Sequence, residues 1–345
     1  MNKRNVIAVD LAKQVFQVAL LNRQDKLLSN KSMRPGRFSE YLAKQPRSLV
    51  AFEACGRAHH WARMAKSLGH EAVILPTKRV ASFRQGHKTD GKDALAIGMA
   101  ARQPQIRPVA PMTLDQQALQ SDQRVAQHVS DEKTATGNML RGLLAEFGLE
   151  IPRGDKALKR EIPLILEDAE NGLPLGVRES LDIAWQLWRQ LDVQVKQLDK
   201  LLAQRAAAHE PCQRLMALAG VGPKNALGLY VTLGNGRHFK NGRNASACIG
   251  ATPQQHSSGG RVRIGHISRQ CGNKRLRANL ITGAHAVIQV LEKRGPRTEK
   301  ERWLAALIER RGKGRAAVAL VNKTIRTAWA MLAHQEAYHA TPRTV

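Results

Sequence analysis

Aromatic residues are scarce in this 345-residue chain, at 4%: six Phe, three Tyr and five Trp. Proteins that hold single-stranded nucleic acid by base stacking need an exposed aromatic platform. The scarcity turns expectation toward contacts with phosphates and duplex shape. Cysteine is rarer still. Cys55, Cys212, Cys248 and Cys271 are scattered, with no Cys-x-x-Cys pair and no nearby paired histidines. That spacing argues against a zinc site or a disulfide framework and fits a reducing, cytosolic compartment. No stretch approaches the roughly 18 apolar residues of a spanning helix. The N-terminus imitates a signal peptide, but Asp10 and Lys13 interrupt its apolar run and no small-residue cleavage site follows. Acid is the last shortage. With 28 Asp plus Glu against 55 Lys plus Arg, the formal charge is +27. Polyanions release counterions when Lys and Arg neutralise them, so nucleic acid is the expected partner and a membrane is not.

What is present reads as two or three folded segments. Hydrophobic residues make up 43%, an ordinary globular share. NVIAVD, the alternating stretch through VFQVALLN, and KLLSNKSM read as a three-stranded antiparallel meander with a polar turn at Gln24 and Asp25. PGRFSEYLAKQ reads as a helix, SLVAFEAC as a strand, HHWARMAKSLG as a helix, EAVILP as a strand and DALAIGMAAR as a helix. That order predicts an α/β domain with a mixed sheet over residues 1–150. Residues 113–147 predict a long helix. A second one covers 176–209, where Leu181, Trp185, Trp188, Leu191, Val195, Leu198 and Leu202 form a coiled-coil-like seam. The segment 151–211 is therefore expected to be a helical arm, either packed as a bundle or used for dimerisation. A Gly-rich, basic, mostly helical domain is expected over 212–345.

Three groups of residues carry possible chemistry. Asp10 and Glu53 close two strands, and Asp90 and Asp93 sit three apart at the start of a helix. Carboxylates gathered at adjacent strand ends suit Mg²⁺, and two such ions can clamp a phosphodiester. Read singly, the strand-end acids are solvated, and Asp90 with Asp93 is an N-cap and its capping-box partner. The second group is the turn Gly220-Val221-Gly222 before Pro223 and Lys224. It has the form of a helix-hairpin-helix element that offers backbone N–H groups to phosphate, or of an ordinary αα-turn. The third is His256-Ser257-Ser258-Gly259-Gly260, followed by Arg261, Arg263, Arg269, Lys274, Arg275 and Arg277. A serine on a glycine turn beside arginines can approach a phosphodiester and have its charge stabilised. Without further context it is a polar hairpin in a basic domain.

Taken in order, VDLAK, FEACG, KTDGKDA, LAGVGP and TPQQHSSGGRVRIGHISRQCGNKRLR resemble the DEDD insertion-sequence transposases of families 110 and 1111. These are bridge-RNA-guided serine recombinases. The resemblance implies an RNase H-like (RuvC-like) first domain with Asp10, Glu53, Asp90 and Asp93 as its Mg²⁺-binding, catalytic tetrad. It implies a second, serine-bearing transposase domain whose nucleophile is Ser258, with Ser257 as the neighbouring alternative. It further implies cleavage through a phosphoserine link, strand exchange and rejoining. The partners it implies are donor and target DNA, a structured RNA from the element and a homodimeric or tetrameric assembly. Two other readings fit the same residues: a RuvC-like nuclease that hydrolyses DNA with water, and a non-enzymatic nucleic-acid-binding scaffold.

Overall fold

Val6, Ile7, Ala8 and Val9 are all buried, so the strand they form has a covered layer on each face. The computed structural model describes residues 4–87, 89–267 and 271–338. In it β1 (Val6–Leu11), β2 (Phe16–Leu21) and β3 (Leu27–Met33) run antiparallel. The turn between β2 and β3 holds Asp25 at φ +66, where Arg102 Nε pairs with its carboxylate at 2.6 Å. β4 (Leu49–Glu53) pairs in parallel with β1, and β5 (Glu71–Leu75) in parallel with β4, giving the sheet order β3-β2-β1-β4-β5. Parallel pairing needs crossovers, and these are helical: α1 (Pro35–Lys44) leads into β4 and α2 (Ala58–Ser67) into β5.

The two sheet faces bury separate cores. One packs Ile7, Val9, Val50 and Phe52 with an edge-to-face cluster of Phe16, Phe38 and Trp61. The other packs Val6, Ala8, Ala19, Leu21 and Ala51 beneath Ala94 and Ile97 of α4 (Asp90–Ala101). Between β5 and α4 the chain makes a short helix, α3 (Thr77–Val80), and a 3-10 turn. Small residues let α4 lie close to the sheet: a Cβ on Gly98 would come within 3.3 Å of the Ala8 Cβ.

This first unit ends at Leu114, ahead of the expected boundary at residue 150, and the second runs from Asp115 to Val345. The reason is where α5 (Leu114–Ala145) finds its apolar partners. Its Leu140 and Leu144 share a core with Leu158 and Ile162 of α6 (Asp155–Glu167) and with Leu181, Trp185 and Trp188 of α7 (Leu175–Ala208). The first half of the coiled-coil-like seam is thus closed by its own chain as a bundle. Gly137 makes room for it, since a Cβ there would stand 3.0 Å from Trp188 Nε1. Asp192 is buried in the same bundle, held by Lys133, Lys159 and Lys196 at 2.7–2.8 Å.

The remainder is α8 (Glu210–Met216), α9 (Pro223–Leu233), α10 (Gly242–Ile249), a hairpin of β6 (Pro253–Ser258) and β7 (Arg261–Ile267), α11 (Lys274–Arg294), α12 (Glu299–Arg311) and α13 (Lys313–His334). Mixed α/β and mostly helical units follow one another, as the order of elements in the sequence predicts. Among the described residues no helix is long and apolar enough to cross a membrane.

Candidate functional site

The acidic group assembles through strand register. Val9 pairs with Phe52 across β1 and β4, so Asp10 and Glu53 follow side by side at the carboxyl ends of two parallel strands. Side chains alternate along a strand, which places both acids on the face of Ala8 and Ala51, the face that α4 covers. Asp90 and Asp93 open α4. The helix N-cap is Thr89 with no side-chain cap, so neither acid plays the capping role that its spacing allowed.

Polar residues that the sequence did not single out hold α4 over this edge. Gln17, the partner of Asp10 in β2, donates to Asn30 at 2.6 Å and accepts from Ser32. Asn30 Nδ2 in turn donates to the Gly91 carbonyl at 2.9 Å. A side chain at position 91 would press on Asn30, with its Cβ 3.2 Å from Nδ2. Arg57 Nη1 donates to the carbonyls of Ala12 and Lys13, fixing the loop after β1. Arg84 pairs with Asp93 at 3.3 Å. These contacts are visible only once the strands are in register, because a Gln or Asn in a strand carries no signal of its own.

Carboxylates at two strand ends and one helix start are the right donors for a hard divalent cation. Among the described residues, however, no three His, Cys, Asp or Glu side chains come close enough together to hold a metal ion. The set fits Mg²⁺ in donor chemistry, with Asp10 and Glu53 on one sheet face and Asp90 and Asp93 in the first turn of the helix that covers it. Asp93, paired with Arg84, lies half-buried beside an exposed Asp90.

Ser258 lies in the second unit, as the last residue of β6. Gly259 (φ +54) and Gly260 (φ +77) form the two-residue turn, a conformation that only glycine adopts without strain at both positions. Across the hairpin Ser258 pairs with Arg261 and His256 with Arg263, while Ser257 pairs with Val262. Directly paired residues share a face. Ser258 therefore has His256, Arg261 and Arg263 on its side, and Ser257 has Val262 and accepts from Gln255 at 2.9 Å on the other. The hairpin is exposed throughout β6 and along nearly all of β7.

The basic residues named from the sequence divide into three kinds. Arg261, Arg263 and Lys274 are exposed and form no ion pair among the described residues. Lys224 and Arg275 are also at the surface but pair with Asp199 at 2.6 Å and Asp131 at 2.7 Å. Arg277 corrects the expectation: it is 7% exposed, and Nη1 donates to the carbonyls of Ile249 and Cys271. Those carbonyls flank the excursion of β6 and β7, so Arg277 clamps the base of the hairpin and is withdrawn from the phosphate-binding set. Arg269 lies outside the described residues.

The turn between α8 and α9 packs against α11. Gly220 has φ +80, and a Cβ there would meet the Gly283 carbonyl of α11 at 2.9 Å. Its glycine therefore serves close packing of two backbones. Gly222 has open space beside it. Asn225 Nδ2 ties the turn down through the Gly220 and Asn279 carbonyls.

Comparison with known proteins bears on the whole chain. The profile of the transposase IS116/IS110/IS902 family matches residues 212–299, and a DEDD transposase profile of the IS110 group matches residues 7–148. A probable family 20 transposase of Pseudomonas aeruginosa is 35% identical over 333 residues, covering 96% of this chain and 98% of that one. The transposase for insertion sequence element IS1111A of Coxiella burnetii is 35% identical over 333 residues, with 96% and 91% covered. Among solved structures, Thermus thermophilus RuvC in complex with a Holliday junction substrate aligns at 14% identity and a TM-score of 0.24, covering 31% of this chain and 99% of that one. That score is too low to bear on the fold.

Proposed function

The chain belongs to the IS116/IS110/IS902 transposase family and is a DNA transposase, and we propose that it cuts, exchanges and rejoins DNA strands through Ser258 under the guidance of an RNA. In this reading Ser258 Oγ attacks phosphorus and gives up its proton. The P–O bond to one deoxyribose breaks, and that oxygen leaves and is protonated. Rejoining reverses the chemistry: a strand's free hydroxyl attacks the phosphoserine ester and releases the serine. Carrying this reading is the setting of Ser258, exposed beside a Gly-Gly turn with Arg261 and Arg263 on its own face. Their guanidiniums suit the charge that builds on a phosphoryl group in transit.

Asp10, Glu53, Asp90 and Asp93 would hold Mg²⁺, which when bound supplies Lewis-acid stabilisation of phosphoryl oxygens. The order β3-β2-β1-β4-β5, three strands antiparallel and two parallel, supports reading this unit as RNase H-like (RuvC-like). A charge of +27 supports a load larger than one short DNA site, namely a folded RNA together with donor and target duplexes. Ile183 and Leu187, exposed on α7, support pairing of the arm with a second copy in a dimer or tetramer.

The test incubates protein, element RNA and DNA with Mg²⁺ and resolves the products under denaturing conditions. A covalent protein–DNA adduct that disappears in Ser258→Ala is the expected result. Free ends without adduct, indifferent to Ser258→Ala, would instead mark a RuvC-like nuclease using water. Recombination that persists in Ser258→Ala and Ser257→Ala alike would overturn the serine mechanism.

A further inference from the structure

The second unit contains an open groove of about 1770 Å³, walled by the start of α10, the base of β7, α12 and one face of α13. It exceeds the roughly 300–1,000 Å³ of a small-molecule pocket. Five exposed cations line it: Arg243, Arg311, Arg315, Lys323 and Arg326. None of the five forms an ion pair among the described residues, and no acidic side chain lines the groove. In this the groove differs from Lys224 and Arg275, whose charge is already answered by Asp199 and Asp131. The crowding reaches Lys300 nearby, whose ammonium is pushed below its usual range by burial and by Lys323.

Two of the chain's few aromatics also face this groove. Trp303 is half-buried with Lys323 Nζ 4.6 Å from its ring centroid, and Trp329 is fixed by an indole hydrogen bond to the Gly236 carbonyl at 3.0 Å. Val318 and Ala319 give the groove an apolar lining between the charges. Arg315 and Arg326 are separated by about 16 Å of α13, a reach of several nucleotides. Unpaired bases expose their faces to indoles, whereas paired bases keep theirs stacked within the duplex.

We propose that this groove binds an unpaired polynucleotide strand, with phosphates on Arg243, Arg311, Arg315, Lys323 and Arg326 and bases against Trp303 and Trp329. Residues 264–267, which form one wall, belong to the same β7 that pairs with Ser258, so a strand in the groove runs toward the hairpin. Only that destination rests on the serine reading; the binding itself does not.

Binding is measured by fluorescence anisotropy on the full chain without Mg²⁺, in both the native sequence and Ser258→Ala. The probes are a labelled 20-nucleotide oligo-dT, an oligo-rU of the same length and a 20-base-pair duplex. The triple variant Arg315→Gln, Lys323→Gln, Arg326→Gln is expected to weaken single-strand binding at least tenfold at about 0.15 M salt. Its slope of log affinity against log salt should become shallower by about 2, near 0.7 for each lost contact. Trp303→Ala should weaken it at least about fivefold. A control triple with the same charge change, Lys156→Gln, Arg160→Gln, Arg189→Gln, should stay within twofold, and so should Ser258→Ala. Tighter binding of oligo-dT or of oligo-rU identifies the strand as DNA or RNA. Equal weakening by the control, or a duplex bound more tightly than either single strand, would overturn the proposal. Should the groove triple fail to fold by circular dichroism, Lys323→Gln alone is read in the same way, with about threefold weakening expected. Loss of covalent adduct with intact strand binding in Ser258→Ala separates the failure of one reading from that of the other.

Discussion

Arg277 Nη1 donates to the Cys271 carbonyl at 2.7 Å and to the Ile249 carbonyl at 3.1 Å, tying the two ends of the hairpin that carries Ser258. A two-stranded hairpin with no core of its own is marginal in water. Its placement is therefore decided at its base. Arg277→Ala leaves both carbonyls without this donor, and a loss of about 2–3 kcal/mol in stability is expected from denaturant unfolding. Adduct formation should fall further than oligonucleotide binding, because Arg277 positions the hairpin and touches no phosphate. Arg277→Lys should restore part of the stability with a single donor group.

Ser258 and Ser257 lie on opposite faces of β6, and that gives a sharp contrast. Arg261→Ala should lower the rate of adduct formation by about 10²–10³ if it stabilises the transition-state charge, a range drawn from single oxyanion-type donors. Ser257→Ala should stay within threefold. Single-turnover kinetics with saturating DNA distinguishes the two. A rate unchanged in Arg261→Ala would remove it from the reacting face.

Asn30 secures the first turn of α4, which carries Asp90 and Asp93, through the Gly91 carbonyl. Asn30→Ala should cost about 1 kcal/mol in stability, the worth of one ordinary hydrogen bond. Its effect on Mg²⁺-dependent cleavage should be larger, about tenfold, with the Mg²⁺ concentration for half-maximal activity rising. An activity loss no greater than the stability change explains would show that α4 is held by packing alone.

Asp192 supplies the pH prediction. Burial opposes its ionisation, yet hydrogen bonds from Lys133, Lys159 and Lys196 outweigh this and hold the carboxyl well below the usual range. Its folded-state pKa is thus depressed. The stabilisation is complete above the unfolded value of about 3.9 and is lost as pH falls through the folded value. Lys133, raised despite its burial by bonds to Asp155 and Asp192, contributes in the opposite sense and loses its share as pH rises above about 10.4. Asp192→Asn should destabilise the bundle by about 3 kcal/mol at neutral pH, since it leaves a largely buried Lys133 short of a counter-charge. It should also flatten the acid limb of unfolding followed by circular dichroism below about pH 4.

Gly220 and Gly283 bring two backbones into contact. Gly283→Ala should cost at least about 2 kcal/mol, because the obstructing atoms are a carbonyl group that cannot swing aside. Gly222→Ala, with open space and an ordinary φ, should change stability by less than about 1 kcal/mol. Thermal unfolding of the two variants measures the difference.

Much of the first unit is legible in the amino-acid sequence alone. A β-branched run closing on Asp10, rough alternation through β2, an apolar run closing on Glu53, and helical spacing between strands give element, order and sheet type. The aromatics went where a small supply is best used: Phe16, Phe38, Trp61, Trp185 and Trp188 are in cores. Trp303 and Trp329 are the exceptions that a count could not reveal. Arg277 and Arg275 are two apart in one basic run, yet one is buried on carbonyls and the other is exposed on Asp131. Helical periodicity alone places them on different sides without saying which side is covered.

The sequence by itself determined the elements, the two kinds of unit, the acids at two strand ends and one helix start and the Gly-Gly turn after Ser258, because these depend on local backbone preference and on periods of 2 and 3.6. Only the tertiary structure decided the domain limit at Leu114, the register that sets Asp10 beside Glu53, the contrast between Arg277 and Arg275, and the gathering of Arg243, Arg311, Arg315, Lys323 and Arg326 in one groove. Those outcomes turn on which residues distant in sequence exclude water from one another, and no window of neighbouring residues contains that information.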